Sequence, residues 1–87
     1  MQVTPAIHQG RYCWMFSPGE GADKRVQRQE LVQLKRLCRT RLGRSHGSLG
    51  ISMWASGHHS FGRGFKAHNV IFISDQTVAF EATLMFC

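Results

Sequence analysis

The chain is short of acids, lacks regularly spaced cysteines and has no unbroken apolar run, and these absences narrow the class of protein. Cys13, Cys38 and Cys87 are three in number and irregularly spaced, so they do not read as the framework of a disulfide-stapled secreted domain. The most apolar stretch, residues 70–87, is interrupted by Asp75, Gln76 and Glu81 and is no membrane span. The first ten residues lack a charged segment followed by an apolar one, so no secretory signal is expected. The expected setting is therefore intracellular and reducing: the nucleus if the source is eukaryotic, the cytoplasm otherwise.

Five acids face eleven lysines and arginines, a formal net charge of +6 over 87 residues. At 18% the charged fraction lies below the usual quarter, while 43% hydrophobic residues is ordinary for a globular chain. That balance argues against wholesale disorder. A chain of this length allows one domain, 1–87, with a small core and little room for a deep catalytic cavity.

The plainest local signal is a helix. Residues 22–42 contain no proline or glycine and are rich in helix formers. Asp23 can cap the start, Gly43 can supply the left-handed stop, and Arg39, Arg41 and Arg44 sit where the helix dipole favours cations. Leu31, Leu34, Cys38 and Leu42 form one apolar stripe, with Leu37 and Val26 widening it.

Around this helix, residues 1–10 read as a loose terminus punctuated by Pro5 and Gly10, and "RYCWMF" (11–16) as a first strand. "SPGEGAD" (17–23) is a turn cluster. Residues 44–66 read as a Gly/Ser/His-rich loop with a short strand near "GISMWA" (50–55). At the C-terminus "NVIFI" (69–73), the turn "SDQT" and the alternation Val78, Phe80, Ala82, Leu84, Phe86 predict a hairpin. The expected fold class is α+β: one amphipathic helix packed on a small antiparallel sheet of three or four strands. The alternative is a partly disordered chain keeping only the helix and the C-terminal hairpin.

Charge is concentrated on the helix. Lys24, Arg25, Arg28, Lys35, Arg36, Arg39, Arg41 and Arg44 are accompanied only by Asp23 and Glu30, and this segment holds the whole positive excess. With Leu31 as origin, Lys35, Arg28, Arg39, Arg25 and Arg36 fall between about 40° and about 140° around the axis and span about 21 Å along it. Such a stripe can face several nucleic-acid phosphates and release their counterions. A solvated helix face accounts for the same residues without a ligand, and an acidic protein surface would be attracted equally. Lys24-Arg25 and Lys35-Arg36 also approach the two-cluster pattern of nuclear import signals, which are bound as extended peptide.

Other motifs carry less. Gly43-Arg44-Ser45-His46-Gly47 spells G-x-S-x-G, but it follows a helix instead of a strand, and no histidine follows Asp75 or Glu81 to complete a triad. "GRGFKAHNVIF" (62–72) opens like the RNP1 strand of RRM domains at Arg63, Gly64 and Phe65, then departs at Lys66, Ala67 and His68. Phe61, Arg63, Phe65 and Lys66 nonetheless combine stacking faces with cations, as single-stranded nucleic acid requires. His58, His59 and His68 lack metal-ligand spacing, and neither metal nor cofactor is expected.

The expected function is thus non-enzymatic: a small basic module contacting RNA or DNA through the 24–44 helix, with Phe61, Arg63, Phe65 and Lys66 as auxiliary contacts. The alternative is a regulatory micropeptide or inhibitor that docks Leu31, Leu34, Leu37 and Leu42 into a groove of a larger protein complex.

Overall fold

A computed structural model describes residues 1–18, 23–45, 52–60 and 68–87. Six elements follow in the order β1 (Gln2–His8), β2 (Arg11–Ser17), α1 (Lys24–Leu42), β3 (Trp54–His59), β4 (His68–Ile73) and α2 (Gln76–Phe86). The strands form one antiparallel sheet in the order β1-β2-β4-β3. Because β4 runs against both β2 and β3, those two are parallel on either side of it, and α1 makes the crossover between them.

The expected α+β class holds, with α1 on a four-stranded antiparallel sheet. Its stripe is laid inward: Leu34 and Cys38 are fully buried, and Leu31, Leu37 and Leu42 pack against the same cluster. Val26, expected to widen the stripe, is exposed instead. Asp23 caps the start by accepting from the Arg25 amide at 2.9 Å. Gly43 ends the helix at φ 81°, its amide donating to the Arg39 carbonyl at 3.0 Å.

Alternation along the strands divides the core between two faces. Phe16, Trp54, Ile71 and Ile73 meet both helices, including Val78, Ala79 and Ala82 of α2. Cys13, Met15, Ala55, Val70 and Phe72 form a smaller buried cluster on the other face, where the His8 ring stacks on Phe72 at 3.9 Å. Gly57 is confined there: a Cβ on it would meet the Phe72 ring at 2.9 Å. Fully buried side chains such as Phe16, Ile71 and Ile73 each contribute roughly 1.5–3 kcal/mol.

Three expectations change. Residues 1–10 are not loose: Gln2 to Ser17 is a regular hairpin with Val3 opposite Phe16. Its two-residue turn, Gln9-Gly10, has φ positive at both positions (52° and 78°), the hand that suits strand twist. Pro5 obscures the strand in the sequence, but β1 is an edge, where proline is tolerated.

The C-terminal segment is a helix where a second hairpin strand was expected. Asp75 accepts from the Val78 amide at 2.9 Å and turns "SDQT" into a helix start. The small Ala79 and Ala82 then let α2 lie close on the sheet. The segment is apolar nearly throughout, so both periodicities fit its letters. Only the cap and the absence of glycine and proline favour the helix. The third change is a shift: the strand expected at 50–55 runs Trp54–His59, inside the expected 44–66 loop.

Candidate nucleic-acid interface

The inward turn of Leu34 and Cys38 fixes where every base of α1 points. Lys24, Arg28 and Lys35 lie nearest the apolar stripe and border the sheet. Lys24, Gln27 and Arg28 line a depression of about 230 Å³ with Pro18, His68 and Asn69. Lys35 lines a second one, of about 240 Å³, with Ser56, His58 and Asn69. Leu31 and Asn69 belong to both, so the two adjoin in a groove between α1 and the β3–β4 hairpin.

Arg25, Arg36 and Arg39 are exposed on the outer flank of α1, and Arg44 is exposed just beyond its end. Arg41 stands apart. It lies on the other side of the helix from the stripe, turns towards α2 and donates to Glu81 at 2.9 Å, the one base of α1 with a side-chain carboxylate bond among the described residues. The bases of α1 are therefore divided into a groove row, an outer row and one neutralised member on the opposite flank.

The auxiliary contacts expected at Phe61, Arg63, Phe65 and Lys66 lie outside the described residues. The strand residues nearest to them, His59 and His68, are cross-strand partners at one end of the β3–β4 hairpin, and His68 lines the groove beside Lys24 and Arg28. Sequence reasoning missed Ser56 and His58 as groove residues because it put the third strand too early, and Asn69, inside an expected strand, because nothing local shows that α1 lies beside it. With Trp54 opening β3, alternation sends Ser56 and His58 to the same face as Trp54, the face that α1 covers.

The other candidates also find their places. Ser45 donates its hydroxyl to the Trp54 carbonyl at 3.0 Å, helping to tie the end of α1 to β3. His46 lies outside the described residues. All three cysteines are free thiols, Cys13 and Cys38 buried and Cys87 exposed. Among the described residues no three His, Cys, Asp or Glu side chains gather as a metal site, and no helix is long and apolar enough to cross a membrane.

The leucines offered for protein docking belong to the chain's own core. Leu34 is fully buried and Leu31, Leu37 and Leu42 pack around it, so docking through them would require α1 to leave the sheet. The paired basic clusters, Lys24-Arg25 and Lys35-Arg36, are both helical, and reading as extended peptide would require the same helix to unwind.

Comparison with protein-family models, curated proteins and solved structures finds no match for this chain.

Proposed function

We propose that this chain is a small binding protein that holds a nucleic-acid backbone, RNA or DNA, against the flank of α1. The observation that carries the reading is the groove in which Lys24, Arg28 and Lys35 come together with Ser56, His58 and Asn69. Lys24 and Lys35 are eleven residues apart on one helix, a rise of about 17 Å, which is the scale of several consecutive phosphates and far longer than one small anion. A groove between one helix and one hairpin suits a single sugar-phosphate track. Cations along one wall supply affinity, and the hydroxyl, amide and imidazole opposite can contact sugar or base edges. The outer row of Arg25, Arg36 and Arg39 adds longer-range attraction.

Such a ligand fits the nucleus of a eukaryotic cell or the cytoplasm otherwise.

The test is titration of labelled single- and double-stranded oligonucleotides over a salt series. Wild-type protein is compared with a groove variant (Lys24→Gln, Arg28→Gln, Lys35→Gln) and an outer variant (Arg25→Gln, Arg36→Gln, Arg39→Gln). Log affinity should fall linearly with log salt, by roughly 0.7–0.9 per phosphate contacted. The groove variant should lose more affinity than the outer one and show the flatter slope. Absence of binding at low salt would end the nucleic-acid reading in favour of an acidic protein surface. Equal losses in the two variants would move the contact out of the groove.

A further inference from the structure

Away from the basic helix the molecule has a second exposed surface, and it is apolar. On β1 and β2 the cross-strand partners Ile7 and Tyr12 are 67% and 82% exposed. With Pro5 and Trp14 they line a shallow depression of about 490 Å³ whose walls are almost wholly apolar. Trp14 continues into a smaller recess that it shares with Ala79, Phe80 and Thr83 of α2. Phe80, 65% exposed, and Leu84, 70% exposed and one turn further along, form a ridge beside that recess. A hollow and a ridge thus stand side by side on one surface.

We infer that this face is the interface of a symmetric homodimer, the Phe80–Leu84 ridge of each copy seated in the Pro5–Tyr12 hollow of the other. Three observations select a second copy as the occupant. Hollow and ridge occur on the same chain, which is the self-complementarity that a two-fold interface requires. Charge agrees: Pro5, Ile7, Tyr12, Trp14, Phe80 and Leu84 are all uncharged, so two such faces meet without burying a charge or opposing like charges, although each chain carries +6. An acidic partner would be drawn to α1 instead.

Area also agrees. A stable interface covers on the order of 800 Å² per partner, about an eighth of this chain's 6033 Å² surface. Tyr12 and Phe80 alone present much of the roughly 150–250 Å² that each aromatic side chain can bury, and Ile7 and Leu84 extend the patch towards the upper end of what a monomer exposes.

Sedimentation equilibrium of the full chain, in reductant so that Cys87 cannot cross-link, tests the inference. The expected species at tens of micromolar has twice the 9.9 kDa chain mass. It should persist at high salt, because no ion pair holds it together. Phe80→Asp and, separately, Tyr12→Asp should each raise the dissociation constant at least about tenfold, as expected for loss of a central aromatic anchor. Val32→Asp, an exposed apolar position on α1, should leave it unchanged. Both interface side chains are mainly solvent-exposed, and far-UV circular dichroism checks that each variant keeps its fold. Should one variant unfold, the other decides.

A wild-type monomer at several hundred micromolar would overturn the inference and leave the face to a different partner. So would a dimer that salt dissociates, or one that both folded variants leave intact. Nucleic-acid binding is measured separately, and neither result depends on the other.

Discussion

The indole N–H of Trp54 donates to the carbonyl of Gly43 at 2.8 Å, fastening the end of α1 to the first residue of β3. The Ser45 hydroxyl returns a bond to the Trp54 carbonyl, so the two segments are tied in both directions. This clasp helps set the distance between the basic wall of the groove and the hairpin opposite it. Trp54→Phe keeps an aromatic ring but removes the donor, leaving a carbonyl at the helix end without that partner. We expect a loss of about 1–2 kcal/mol, a fall in Tm of roughly 4–16 °C for a domain of this size. Thermal unfolding followed by circular dichroism measures it, and a melt superimposable on wild type would show that the bond contributes nothing.

Neutralisation of Arg41 by Glu81 has a consequence for binding. Glu81→Gln raises the net charge from +6 to +7 and releases a guanidinium at the α1–α2 seam. The pair is substantially exposed, so its loss should cost no more than about 1 kcal/mol of stability. Oligonucleotide affinity at low salt should rise, with a slope steeper by up to about one phosphate equivalent. A slope and affinity equal to wild type would place Arg41 out of reach of the ligand.

The β1–β2 turn carries a measurable strain. Gln9 adopts φ 52°, a left-handed conformation that costs a glutamine roughly 1 kcal/mol and suits asparagine better. Gln9→Asn should therefore raise Tm by a few degrees, whereas Gly10→Ala, at φ 78° in open space, should lower it. If both variants melt with the wild type, the turn is not holding the register.

The thiols should separate by reactivity. Burial pushes the Cys38 thiol up to about 12 and also raises Cys13, so both stay protonated and shielded. Cys87 is raised as well, chiefly by desolvation, but it is exposed. A thiol reagent at pH 8 should modify Cys87 first, and the other two only on unfolding. The folded Cys38 pKa lies above its unfolded value near 9.0, so its contribution to stability is complete below pH 9 and is lost as pH rises towards 12. Urea titrations at several alkaline pH values should show that decline, and Cys38→Val should flatten it.

Local chemistry was enough to locate α1, β2 and β4. Asp23 and Gly43 bracket a segment without helix breakers, and the runs 11–16 and 69–73 are short, apolar and bounded by turn residues. The concentration of charge on one helix was equally legible, because it depends only on which residues fall between two caps. Tertiary structure decided the rest. The segment after Asp75 satisfies a period of two and a period of 3.6 alike, and what settles it is that Val78, Ala79 and Ala82 can cover Phe16 and Ile73 as a helix. β1 is interrupted by Pro5 and mostly exposed, and it exists through its register with β2. The groove combines Lys24, Arg28 and Lys35 with Ser56, His58 and Asn69, residues far apart in sequence. No local pattern could pair them, because their meeting depends on how α1 crosses the sheet to reach β3.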